Sequence, residues 1–91
     1  EADNTGILRE VGLVVEARRQ FDRAYQIYEN LIQLEPDLAE NFFRGGVALK
    51  ALRDYAQAAH LFQRAAELDP GNIEAERQRL AVSALGILSN S

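Results

Sequence analysis

The sequence predicts an all-α chain of five antiparallel helices stacked as an array, and three observations predict it. First, residues recur at an interval of 34: Gly12 returns as Gly46, Ala24 as Ala58, Tyr28 as Phe62, Leu34 as Leu68 and Pro36 as Pro70. Second, apolar residues within each unit fall at three- and four-residue spacings, the period of a helix with one buried face. Third, the segments between them are two to four residues long and hold the helix-ending residues, so consecutive helices should lie antiparallel.

Each element follows in order. The polar start, Glu1 to Asn4, offers Asp3, Asn4 or Thr5 as a cap for the first free amides of a helix. That helix is expected over Thr5 to Arg19, with Leu8, Val11, Gly12 and Val15 on one face. Ile7, Leu13 and Val14 widen the apolar stripe beyond one packing surface and predict a second contact. Gly12 sits mid-helix, where glycine costs about 1 kcal/mol relative to alanine, so a second helix should cross close by. Gln20 to Asp22 breaks the pattern, and a second helix spans about Phe21 to Glu35, presenting Phe21, Ala24, Tyr25, Tyr28, Leu31, Ile32 and Leu34. Pro36 ends it, because proline disfavours the helical conformation of the residue before it.

The third helix is predicted over Leu38 to Leu52, with Phe42, Gly45, Gly46, Leu49 and Leu52 inward. The fourth, Tyr55 to Leu68, is capped by Asp54 and presents Tyr55, Ala58, Leu61, Phe62, Ala65 and Leu68. In the turn Asp69-Pro70-Gly71-Asn72, Gly71 and Asn72 both tolerate a positive φ. The fifth helix, Ile73 to Leu88, has a wet first half and an oily second half; Ser89 to Ser91 is tail.

Composition bounds the function. Ninety-one residues with 47% apolar and 26% charged side chains fit one soluble domain. A chain of this size buries roughly 60–65% of the surface exposed when unfolded, so its stability should be modest unless a partner covers more apolar area. The net charge of −4 argues against nucleic acid, which needs a clustered positive surface. No apolar run reaches the roughly 20 residues of a membrane span, so no membrane insertion is expected. With no cysteine there is no disulfide framework; the compartment stays open, with a soluble cytoplasmic setting as the working expectation. The chain begins at Glu1 rather than methionine, which fits a trimmed or processed form.

No residue set looks catalytic, and neither a cofactor nor a metal is expected. The lone His60 reads as a solvated outer-face residue rather than a ligand or base, and no Ser has a base at recognisable spacing. Glu35, Asp37 and Asp69 flank the prolines and read as turn-solvating acids. Arg18, Arg19 and Arg23 cluster at a helix junction, where they solvate the turn and complement a helix C-terminus.

Two helix-turn-helix units at this interval resemble tetratricopeptide repeats. Counting from Thr5 and Ala39, position 4 is Leu8 and Phe42, position 8 is Gly12 and Gly46, and position 11 is Val15 and Leu49. Positions 20, 24 and 27 are Ala24, Tyr28 and Leu31, then Ala58, Phe62 and Ala65; position 32 is Pro36 and Pro70. The resemblance covers residues 5–70, as repeats 5–36 and 39–70 within a single domain, 1–91. Departures include Gly45 for the usual leucine and the missing helix-A tryptophan and tyrosine. From Ile73 the core positions hold Glu76, Arg79 and Ser83, so residues 73–88 read as a C-terminal capping helix.

The resemblance implies a right-handed superhelix whose inner groove is lined by the first helix of each repeat, and a non-enzymatic role in protein binding as chaperone, adaptor or assembly factor. The groove positions map to Gly6, Arg9, Leu13, Glu16 and Ala17, then Glu40, Phe43, Val47, Lys50 and Ala51, with Glu74, Arg77, Ala81, Ala84 and Leu85 from the last helix. The expected surface is an apolar strip of Leu13, Phe43, Val47, Ala81 and Leu85 flanked by Arg9, Arg44 and Arg77, with no other internal duty for Leu13, Phe43 or Val47. It suits a helical or extended segment with apolar anchors and some acid. The carboxylate clamp of some relatives is not matched, since its positions hold Arg9, Leu13, Arg44, Glu74 and Gln78. A second expectation is self-association through the terminal helices, with Leu80, Ala84, Leu85 and Leu88 as contacts.

Overall fold

The computed structural model describes residues 4–89, so Asp3 as a cap, and the tail beyond Ser89, lie outside the described residues. Within them the chain forms α1 (Asn4–Ala17), α2 (Phe21–Leu34), α3 (Ala39–Ala51), α4 (Tyr55–Leu68) and α5 (Ile73–Ser89). Substantial packing runs only between consecutive helices, α1 on α2 through to α4 on α5, and the array extends over 50 Å while only 18 Å thick.

The turns repeat as faithfully as the helices. The links 18–20 and 52–54 are the same motif: Gln20 N donates to Val15 O (2.9 Å) and Arg19 N to Glu16 O (2.9 Å), as Asp54 N does to Leu49 O (2.9 Å) and Arg53 N to Lys50 O (3.0 Å). These paired bonds satisfy the last free carbonyls of α1 and α3 and need a left-handed residue just past the helix. Arg19 (φ 61°) and Arg53 (φ 66°) supply it. Gly71 and Asn72, which could tolerate a positive φ, do not adopt one. The proline links instead close with Leu38 N on Glu35 O (3.2 Å) and Asn72 N on Asp69 O (2.9 Å). Asp54 caps α4 by accepting from Gln57 N (3.2 Å), and Asn72 caps α5 by accepting from Glu74 N (3.1 Å).

The core is built where a glycine meets an aromatic ring. Tyr28 and Phe62 are fully buried, and each lies against a helical glycine. A Cβ on Gly46 would stand 2.8 Å from the Phe62 ring; one on Gly12 would stand 3.2 Å from both Tyr28 and Ile27. Gly45 replaces a larger residue because Leu61 comes within 3.0 Å of where its Cβ would be. Close approach is the reason for glycine at all three positions.

Several residues expected inside are not. Val11 is 45% exposed, Leu34 57% and Leu52 45%. Leu52 lies just past the end of α3, in the link to α4. The structure also adds a buried residue the periodicity did not mark. Asn41 is wholly enclosed, donates to Leu31 O (3.2 Å) and Glu35 Oε1 (3.2 Å), and accepts from Arg9 Nη1 (2.8 Å). It ties α1, the end of α2 and α3 together.

In α5, Ala75 and Val82 are completely buried against α4. The opposite side holds Leu80, 57% exposed, at the register position of Gly12 and Gly46. A leucine there leaves no room for an aromatic of a following helix to pack as Tyr28 and Phe62 do. On the same side Glu76 pairs with Arg79, and Ser83 Oγ donates to Arg79 O (2.9 Å), so these polar residues satisfy one another.

Candidate functional site

The first, third and fifth helices present the surface on which the groove residues fall. Part of it is a cleft of about 490 Å³ over α3, lined by Glu16, Ala39, Glu40, Phe43, Arg44, Val47, Asp69 and Asn72. Phe43 and Val47 are its apolar floor. Both are half-buried, and both have an internal duty, contrary to expectation. Phe43 meets Phe62 edge to face, with ring centroids 5.4 Å apart and an interplanar angle of 64°. Such a pair contributes about 0.5–1.5 kcal/mol beyond the area it buries.

The charged rim is linked internally. Arg44 Nε donates to Glu40 Oε2 (2.9 Å), and its Nη1 lies 3.3 Å from Glu16 Oε2. Glu16 also accepts from the Tyr28 hydroxyl at 2.9 Å. Burial first, then this hydrogen bond and the carboxylate's charge, push the Tyr28 hydroxyl up to about 12. Burial alone would lower the pKa of Arg44, but its hydrogen bond to Glu40 and the charge of Glu16 raise it overall. The guanidinium therefore stays charged and shared between two carboxylates.

The other predicted groove residues are less free than their positions implied. Arg9 is committed to Asn41 and, at 2.6 Å, to Glu35 Oε1. Lys50 Nζ donates to Gln78 Oε1 (2.9 Å), and Gln78 Nε2 donates to Glu74 (3.0 Å). Arg77 lies 3.6 Å from Glu74 with its side chain 74% exposed. Leu13 and Ala81 are exposed but do not line the α3 cleft. Of the contacts assigned to self-association, Leu80, Ala84 and Leu88 are exposed and Leu85 is half-buried against the array.

Sequence reasoning missed a larger recess, about 550 Å³, at the C-terminal end between the start of α4 and the end of α5. Tyr55, Ala59, Val82, Gly86 and Ile87 form much of its wall. Gly86 is the one available signal, since a small residue late in α5 lets the start of α4 come near; its Cβ would lie 3.6 Å from Tyr55 Cβ. His60 is exposed, and among the described residues no three His, Asp or Glu side chains gather as a metal cage. No described helix is long and apolar enough to cross a membrane.

Comparison with known proteins agrees with this architecture. Residues 39–72 match the tetratricopeptide repeat family model. A solved structure described as "MamA RS-1 ArsTM double mutant" superposes with a TM-score of 0.83 at 23% identity, over 89% of this chain and 46% of that one. The chain thus spans less than half the length of that protein, and the likeness concerns the fold. Residues 39–72, over α3 and α4, thus match one tetratricopeptide repeat, and the fold that extends from it on both sides is a helical solenoid of that type.

Proposed function

We propose that the chain is a non-enzymatic protein-binding module that receives a helical or extended segment of a partner in the α3 cleft. The observation that carries the reading is the cleft itself: two half-buried apolar side chains, Phe43 and Val47, on a fixed helix, rimmed by polar groups. Apolar anchors in a polar frame are what helix-in-groove and extended-segment recognition use. The repeat family supports the general role, while adaptor, chaperone or assembly duty belongs to the proposal alone. On this reading residues 5–36 act as a first repeat, 39–70 as a second and 73–88 as a cap.

The test uses a peptide selected on the immobilised protein from a random display library. Val47→Ser should weaken its binding by roughly tenfold, about 1.4 kcal/mol, with the circular dichroism unchanged. Unchanged affinity contradicts the reading. Val47 is the better probe because Phe43 also supports Phe62.

A second reading, self-association through the ends of the array, is favoured by a separate observation. Ile7 (52%), Val11 (45%) and Val14 (47%) are exposed on α1, and Leu80 (57%), Ile87 (72%) and Leu88 (69%) on α5. Apolar stripes on terminal helices fit end-to-end or helix-to-helix contact. Light scattering across a hundredfold dilution would discard it by finding a monomer throughout; if an oligomer forms, Leu80→Ser with Leu88→Ser should dissociate it.

A further inference from the structure

We infer that the segment seated in the α3 cleft is a basic amphipathic one, with apolar side chains on Phe43 and Val47 and lysine or arginine side chains against the rim. The inference rests on the cleft being the binding surface and adds the chemistry of its partner.

The sign of the rim comes from its pairing. Three carboxylates (Glu16, Glu40, Asp69) and one guanidinium (Arg44) line the cleft, a net charge of −3 + 1 = −2. Arg44 is already shared between Glu16 and Glu40. An acidic partner would have to compete with two carboxylates that are held in place, one of them by Tyr28. Of the other cations near this surface, Arg9 is held by Glu35 and Asn41, while Arg77 lies 3.6 Å from Glu74 and Lys50 bonds the neutral Gln78; none of the three lines the cleft. Asp69 is the opposite case. Its carboxylate makes no side-chain hydrogen bond or ion pair among the described residues, and it stands at the cleft wall beside the α4–α5 turn. The chain's overall charge of −4 has the same sign. Complementary charge speeds encounter and rejects like-charged partners, so the cleft selects against acid and for base.

Peptides from a random display library, selected on the intact protein and synthesised, provide the probe. Each is titrated into the wild type, into the Glu40→Gln, Asp69→Asn double variant and into Val47→Ser. Circular dichroism and a thermal melt confirm that both variants fold. The selected peptides should carry a positive net charge beside apolar residues. They should bind the double variant roughly fivefold more weakly and lose affinity as salt rises. Peptides that lose affinity in Val47→Ser yet are acidic, or are indifferent to the double variant, overturn the inference and leave the cleft reading standing. Peptides indifferent to Val47→Ser overturn both.

Discussion

Helices α1 and α3 stand at the same register of successive 34-residue units, and their backward faces are treated in opposite ways. On α3 that face is Asn41, Gly45 and Ala48, a polar residue and two small ones, all buried. On α1 the matching residues are Ile7, Val11 and Val14, all β-branched and apolar, and they are 52%, 45% and 47% exposed. The more apolar face is the one left open. Burial here follows from having a neighbour, since α3 docks on α2 while no described helix precedes α1. Helix α5 completes the series, with Ala75 and Val82 buried on its backward face and Leu80 exposed on its forward one.

The comparison can be broken by substitutions read by denaturant unfolding. The largest effect should come from the shared core: Phe62→Ala should cost about 3–5 kcal/mol, because the ring is fully enclosed and also supports Phe43. Next comes the glycine contact. Gly46→Ala should cost about 1–3 kcal/mol, its Cβ meeting the Phe62 ring at 2.8 Å. Gly12→Ala should be close to neutral. Its contacts begin at 3.2 Å, and alanine's advantage of about 1 kcal/mol in a helix offsets the crowding. Equal losses at the two glycines would mean that the two helix pairs do not differ as described.

Asn41→Ala should cost about 1–3 kcal/mol, because it strips partners from the Leu31 carbonyl, Glu35 and Arg9 at once. At the matching position of α1, Ile7→Ala should cost less than about 0.5 kcal/mol, the usual range for exposed positions. The smallest effect is a gain. Arg53→Gly relieves a positive φ and should stabilise by a few tenths of a kcal/mol, after the added freedom of the unfolded chain is counted. Arg19→Gly should gain less, since Arg19 also lies over the Phe21 ring at 5.5 Å from its centroid.

How far the sequence could be read follows the same division. Gly12 with Tyr28 and Gly46 with Phe62 were legible because size complementarity leaves a pattern at a fixed interval. The proline turns were legible because proline acts on its immediate neighbour. The left-handed links were not, since arginine at positions 19 and 53 gives no sign of a positive φ; only the repetition of the position hints at it. Asn41 looked like an ordinary first-turn polar residue, and its three partners lie on two other helices and a turn. The pairing of the cleft's charges was only partly legible, for a related cause. Arg9 and Arg44 stand at groove positions; Arg44 has Glu40 one turn away on its own helix, but Glu35 and Glu16 lie 26 and 28 residues from Arg9 and Arg44, and only the folded chain brings those pairs together.

The central claim is that recognition takes place on α3 and not on the open ends of the array. A display-selected peptide titrated into the isotope-labelled protein, with amide chemical shifts followed residue by residue, tests it most directly. The account predicts the largest shifts at Phe43, Arg44, Val47 and Asn72. Shifts confined to Ile7, Val11 and Val14, or to Leu80, Ile87 and Leu88, would contradict it and move the binding surface to the ends.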